Sequence, residues 1–408
     1  MLKFKQTLAF KSLQLFFSVF MALYPILCLY TGFYKFTIGD LGLMFFMVLG
    51  LLRLPKIDSR FRITIIFLIY TAIVFLVNLM IVQTMQISAF TSFFFRFIKL
   101  CFYLICAFTC GRTYFNTKYF QKTIIKISIV LCVFLFFQYI AYYGAGQIVL
   151  GRLPGLPVYI EDYQEIDYEK FYSFNFRPSS LFLEPSQFCQ YMAVPITLTL
   201  FSKEISKKKK LFLVALFVTG ILFSTSGQGI FYLAIIFVMY GLFEIRNKGI
   251  TIAFFAIVIF AGLVAYSNID AVKFAVDRLL FGADAFEARI GTYKYISEMK
   301  NLHLFFGYGY GVLPTNEYFA GMPYVWYGCG LLGLLLVLGM FFSLYRKAES
   351  AKAKVVCVVF LVAFFVTSLF YNYMLFWYFT IIISTQNFEY KSKANRLEFK
   401  KNIREDRV

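Results

Sequence analysis

The chain has 408 residues, of which 61% are hydrophobic, 21% aromatic and only 15% charged, with a formal net charge of +19. Soluble domains are roughly half apolar and about a quarter charged, so the composition excludes a soluble enzyme or a nucleic-acid module and predicts an all-α polytopic membrane protein. Its eight cysteines sit in or at the ends of apolar runs, which argues against a disulfide framework or a zinc site.

A membrane crossing needs about 20 apolar residues, with about 17 near the lower limit. Runs of that kind predict helices near 12–31, 36–52, 63–82, 92–110, 124–143, 186–202, 211–226, 228–244, 250–267, 324–345, 355–371 and 373–387. These form one integral membrane domain over 1–408, with about twelve spans. The run from Val355 to Ile383 is too long for one ordinary helix, and Asn372 marks its break. Residues 12–31 lack a small-residue cleavage site, so they read as a span and not a removed signal peptide. Most of the 40 Lys and Arg fall in the inner turns and the two terminal segments if both termini are cytoplasmic. That bias sets the orientation, makes 388–408 a basic cytoplasmic tail, and gives the positive charge anionic membrane lipids as neighbours.

The short inner turns, such as SKEISKKKK at 202–210, need only anchor. Two outer segments are larger. The first, 144–185, ends in RPSSLFLEPSQF; the second, 268–323, holds DAVKFAVDRLLF and AFEARIGTYKYISEM, whose three- and four-residue apolar steps predict short amphipathic helices on the membrane surface. Pro185 suits the first turn of a helix and puts Glu184 at its N-cap, a role worth ~0.5 kcal/mol. Arg177 is either a headgroup-level arginine or a two-pronged donor suited to a diphosphate. Arg96 and Lys99 lie within a predicted span, share one helix face, and either snorkel or line an electropositive pocket with Arg177. Arg289 and the single histidine, His303, precede GYGYG, where Gly307, Gly309 and Gly311 permit close backbone approach. Tyr308 and Tyr310 offer faces for a sugar ring. STSGQG at 224–229 reads as a tight outer turn, and Asp162, Glu165 and Asp167 as a solvated acidic stretch.

In this order, RPSSLFLEPSQF, ARIGTYKYISEMKNLHLFFGYGYG and NEYFAGMPYVWYGCGLLGLLL resemble the O-antigen polymerase/ligase family, the Wzy-type repeat-unit polymerases and their ligase relatives. The motifs cover about 170 to 335. The resemblance implies a GT-C-like fold and glycan transfer from an undecaprenyl-diphosphate-linked oligosaccharide at the outer face of a bacterial plasma membrane. It carries Arg177 and Arg289 over as family arginines, and a flippase and a chain-length regulator as further partners. Ligase relatives often have a His-Asn pair before the returning span, where this chain has Thr315-Asn316. The family turn before residue 230 often carries arginine, where this chain has Ser226-Gly227-Gln228.

The residues lead to the same place by chemistry. Outside the cell a glycosyl donor must bring its own activated leaving group, and a lipid diphosphate does; arginines can neutralise the charge it develops without a metal or other cofactor. The expected activity is inverting, metal-independent polymerisation of lipid-linked repeats. Arg96, Lys99, Arg177 and Arg289 would hold the diphosphate, Tyr308 and Tyr310 the glycan, and Glu184 or His303 would act as base. A ligase or a lipid-linked-oligosaccharide flippase is the alternative.

Overall fold

The computed structural model of the chain describes residues 8–51, 59–81, 87–159, 176–245, 247–268, 270, 272–273, 276–277, 291–299, 302–313, 319–368, 370 and 372–384. The long helices come in chain order as α1 Leu8–Leu27, α2 Ile38–Leu51, α3 Ser59–Ile81, α4 Ile87–Cys106, α5 Thr117–Ala145, α6 Pro185–Leu200, α7 Lys207–Phe223, α8 Gly227–Glu244 and α9 Lys248–Asn268, then α10 Gly321–Lys347, α11 Ala351–Val366 and α12 Met374–Ser384. Each predicted run overlaps one of them. Among the described residues seven are long and apolar enough to cross a membrane, so the protein is predominantly helical and multi-pass. The others are shorter: α6 has 16 residues, or about 24 Å at 1.5 Å per residue, against a hydrocarbon core of roughly 30 Å.

Local chemistry sets the boundaries. Thr37 and Asp40 cap α2 reciprocally, with Asp40 N donating to Thr37 Oγ1 and Thr37 N to Asp40 Oδ2, both at 3.1 Å. The Asn116 side chain accepts from Lys118 N and Tyr119 N at the start of α5, and Gly146 (φ 68°) closes its end. A short hairpin, β1 Thr31–Phe33 with β2 Phe36–Thr37, fills the gap between α1 and α2, where a helix to residue 31 was expected. The break expected at Asn372 is present: its Oδ1 accepts from Met374 N at 2.9 Å, starting α12.

The centre of the bundle is α6 and α12. From Met374 to Phe379, α12 is at most 1% exposed on every side, as an all-round apolar helix must be when neighbours surround it. Its polar tips are satisfied: Trp377 Nε1 donates to Met21 O and Tyr378 Oη to Gln190 O, each at 2.7 Å. Tyr191 of α6 stacks on Trp377 and donates to Ala22 O at 2.9 Å. By contrast, α9 is apolar and exposed along its length, as a lipid-facing helix would be.

Successive helices alternate in direction and so give the bundle two ends. One gathers the basic turns: Lys118 reaches Glu204 at 3.5 Å, and Lys354 lies over Phe243 and Tyr345. The other carries the hairpin, the segment 146–159 and the starts of α6, α8 and α10. Every candidate residue within the described part is in or near this second end.

Candidate functional site

The site begins with one polar side chain in an apolar helix. Gln138 of α5 is fully buried. Its Oε1 accepts from Ser180 N at 2.7 Å, and its Nε2 donates to Ser180 O at 3.1 Å and to Val149 O at 2.9 Å. Ser180 has φ 56°, a left-handed conformation that non-glycine residues adopt only when the surroundings enforce it. Its hydroxyl donates to Leu131 O and that of Ser179 to Phe182 O, both at 2.7 Å. The backbone carrying Arg177 is thereby fixed. Arg177 is half-buried, within electrostatic range of Tyr143 near the end of α5 and of Cys189 in α6.

Glu184 occupies the N-cap of α6 with Pro185 at the first helical position, as expected, but its carboxylate makes no cap hydrogen bond. It is exposed and accepts from Ser186 Oγ at 2.9 Å. The backbone and Pro185 form the helix start without it, leaving the carboxylate open to solution. One turn on, Cys189 Sγ meets Ser224 Oγ at 3.3 Å. A Cβ on Gly229 would sit 2.5 Å from that sulfur, so the starts of α6 and α8 are pressed together. The STSGQG turn is more than a simple connection. Ser224, Thr225, Ser226 and Gln228 are all buried, Thr225 has φ 54°, and Thr225 Oγ1 and Gln228 Oε1 have no hydrogen-bond partner among the described residues. Buried polar atoms left this way are uncommon in a finished core.

Residues 146–159 form a strap across this end. Gly151 is packed so tightly that a Cβ would lie 1.6 Å from Ser180 O. Leu153 N donates to Tyr30 Oη at 2.9 Å, Thr31 N to Pro157 O at 2.9 Å, and Tyr159 N to Leu29 O at 2.8 Å. The strap ends at Lys99, whose Nζ donates to Tyr159 Oη at 2.9 Å.

The glycine motif serves a different neighbour. At Gly330 (φ 68°) α10 breaks, and its freed carbonyls are taken up by the GYGYG backbone: Tyr308 N donates to Tyr327 O at 3.0 Å and Gly309 N to Gly328 O at 2.7 Å. Tyr70 Oη donates to Cys329 O at 2.8 Å. Gly307 and Gly330 each lie where a Cβ would collide with the facing backbone. Arg96 donates to Gly311 O. It lies about two and a half turns beyond Ile87, because α4 starts earlier than the pattern predicted. Arg96 thus reaches the glycine loop and Lys99 the strap.

The sugar platform expected of Tyr308 and Tyr310 is occupied by protein. Tyr308 stacks on His303 at 4.2 Å and on Tyr327 at 4.7 Å; Tyr310 is 1% exposed, with Tyr324 edge-on at 5.2 Å. Neither ring offers an open face, because both pack the loop against α10. His303 Nδ1 lies 3.2 Å from Gly307 O. A carbonyl can only accept, so Nδ1 is the donor in this contact. Arg289, the Thr315-Asn316 pair and the acidic residues Asp162, Glu165 and Asp167 lie outside the described residues, as does the tail 388–408.

Sequence reasoning passed over Gln138 and the fully buried Asp40, although a lone amide or carboxylate in an apolar run is itself a signal. Asp40 Oδ1 accepts from Tyr103 Oη at 3.0 Å and from Tyr24 Oη at 3.4 Å. No family model matches the chain, and no curated protein matches it either.

Proposed function

We propose that the protein is a glycosyltransferase that polymerises oligosaccharide repeats carried on undecaprenyl diphosphate, working at the outer face of a bacterial plasma membrane through about twelve spans. The observation that carries this reading is the built entry to α6. Arg177 lies three residues before Ser180, whose backbone a buried Gln138 clamp fixes, while the carboxylate of Glu184 is left uncapped and exposed at the same helix start. Arg177 takes the diphosphate in a two-pronged hold, reinforced by the positive ends of α6 and α8. The acceptor hydroxyl oxygen attacks the anomeric carbon and its proton passes to Glu184. The bond from that carbon to the diphosphate oxygen breaks, and undecaprenyl diphosphate leaves with its charge stabilised by Arg177. Attack from the face opposite the leaving group inverts the anomeric centre. The short α6 supports this placement, since irregular backbone is tolerated near membrane depth only where it is buried in protein or lines a wet cavity.

Gel analysis of surface polysaccharide from a deletion strain, with and without complementation, tests the reading. Single-repeat glycan at the surface is the expected result. Loss of all surface glycan with repeats trapped inside would make the protein a flippase, and long polymer left on the carrier lipid would make it a ligase.

A further inference from the structure

We propose that Gln138 is a positioning residue that locks the strap and the Arg177 segment into one register, so that the strap must be seated for Arg177 to engage a diphosphate. The inference rests on the reading of the site given above. Its basis is the way one side chain commits two donated hydrogen bonds and one accepted bond across two segments. The Gln138 amide holds both backbone groups of Ser180, three residues from Arg177, and with the same Nε2 holds Val149 O of the strap. Ser180 needs this support because its φ of 56° is unfavourable for a serine. The strap presses on the same residue from the other side, at Gly151, where there is no room for a Cβ against Ser180 O. Arg177 makes no part of this clamp's hydrogen bonds to Ser180, so the clamp acts on it through the backbone. Strap, clamp and arginine therefore share one residue, Ser180.

A purely structural role for Gln138 would lower stability without regard to Arg177. A positioning role has a different signature, which a double-mutant cycle reads. The probe is undecaprenyl diphosphate, titrated into the purified full-length protein in detergent. Gln138→Met keeps the length and apolar fit but cannot hold Ser180. It should weaken binding roughly tenfold, about one charge-assisted hydrogen bond misplaced, and speed amide exchange in the strap. Arg177→Ala should weaken binding by at least as much. The double variant should bind no more weakly than Arg177→Ala alone, because positioning has no value once the arginine is gone. Gln138→Glu, kept protonated by burial, retains the acceptor for Ser180 N and one donated bond, and should fall between wild type and Gln138→Met. A second route loads the same residue from the strap: Gly151→Ala should reproduce the loss in wild type and add nothing to Arg177→Ala. If the Gln138→Met and Arg177→Ala losses simply multiply, or if Gln138→Met binds as wild type does, the positioning role is wrong while the site reading stands. If wild type and Arg177→Ala bind the carrier equally poorly, the site reading fails and the positioning role fails with it.

Discussion

Among single residues, Glu184 carries the sharpest consequence. Its flanking proline made the helix start legible from sequence, and the expected bland role was a cap. The carboxylate is instead bound only by the Ser186 hydroxyl among the hydrogen bonds seen, so removing its charge has little structural cost. Glu184→Gln should express and melt like wild type and lose polymerisation by about a hundredfold, the lower part of the usual range for a general base. Normal polymer length and amount in that variant would leave Glu184 without a catalytic part. Arg177→Lys keeps the charge and loses the fork, and should shorten the polymer about as much as Gln138→Met does; full-length polymer would remove the case for two-pronged binding. Asp40 is the opposite kind of residue. It is fully buried, completes a capping box and takes two tyrosine hydroxyls, so its role is to hold α2 to α1 and α4. Asp40→Ala strands those hydroxyls and should cost about 2 kcal/mol or more of stability, read as a lower melting temperature in detergent. Asp40 was missed in the sequence because a T-x-x-D pattern in an apolar stretch says nothing about which distant tyrosines will close over it.

Elements were legible to the extent that they obey periodicity. The long apolar helices and the break near Asn372 follow from run length alone, since a lipid-facing or central helix must be apolar over its whole span. What run length does not give is where an element stops being regular. The predicted spans begin within a few residues of α6 and α8, but nothing in composition shows that α10 breaks at Gly330. That break depends on partners far away in sequence: the carbonyls freed at Gly328 and Cys329 are usable only because Gly309 and Tyr70 satisfy them. The glycines therefore have unequal value. Gly330 is left-handed, and a Cβ there would lie 2.2 Å from Phe305 O. Its φ of 68° with ψ of −176° lies in a region essentially confined to glycine, where a side chain costs about 1–3 kcal/mol, and the collision adds to it. Gly339, in the same helix, has nothing within 4 Å of a built Cβ, so alanine there should be neutral or stabilising by up to about 1 kcal/mol. Thermal melts of Gly330→Ala and Gly339→Ala should therefore move in different directions or by very different amounts. Equal melting temperatures would mean that the loop and the broken helix do not depend on each other. The same contact explains why the tyrosines of GYGYG were misjudged: the motif advertises exposed aromatic rings, whereas its backbone closeness forces those rings into the packing.

For the whole molecule the open quantity is direction, and it follows from charge. The turns at one end of the bundle hold Lys118, Lys203, Lys207, Lys208, Lys209, Arg346 and Lys347, whereas the other end is built from the hairpin, the strap and the serine turn. Lysine and arginine are retained on the cytoplasmic side, where the anionic leaflet favours them by about 1 kcal/mol each. For Lys207 to Lys210 that attraction has a further function, because four positive charges in the first turn of α7 oppose the positive end of its dipole. Lys210 escapes by donating to Leu200 O at 3.1 Å, at the negative end of α6; the others need the anionic leaflet. The proposed orientation then turns the strap end outward, the side on which the proposed lipid-linked donor would lack competition from nucleotide sugars. Single cysteines read this directly in intact cells with a membrane-impermeant maleimide. Tyr34→Cys at the exposed hairpin tip and Leu156→Cys in the strap should label from outside, and Lys208→Cys only after the membrane is opened. The reverse pattern would put Arg177 and Glu184 in the cytoplasm and defeat the assignment of an outer-face polymerase, whatever the glycan phenotype. Labelling of all three positions from one side would break the alternation of the helices and with it the even number of spans.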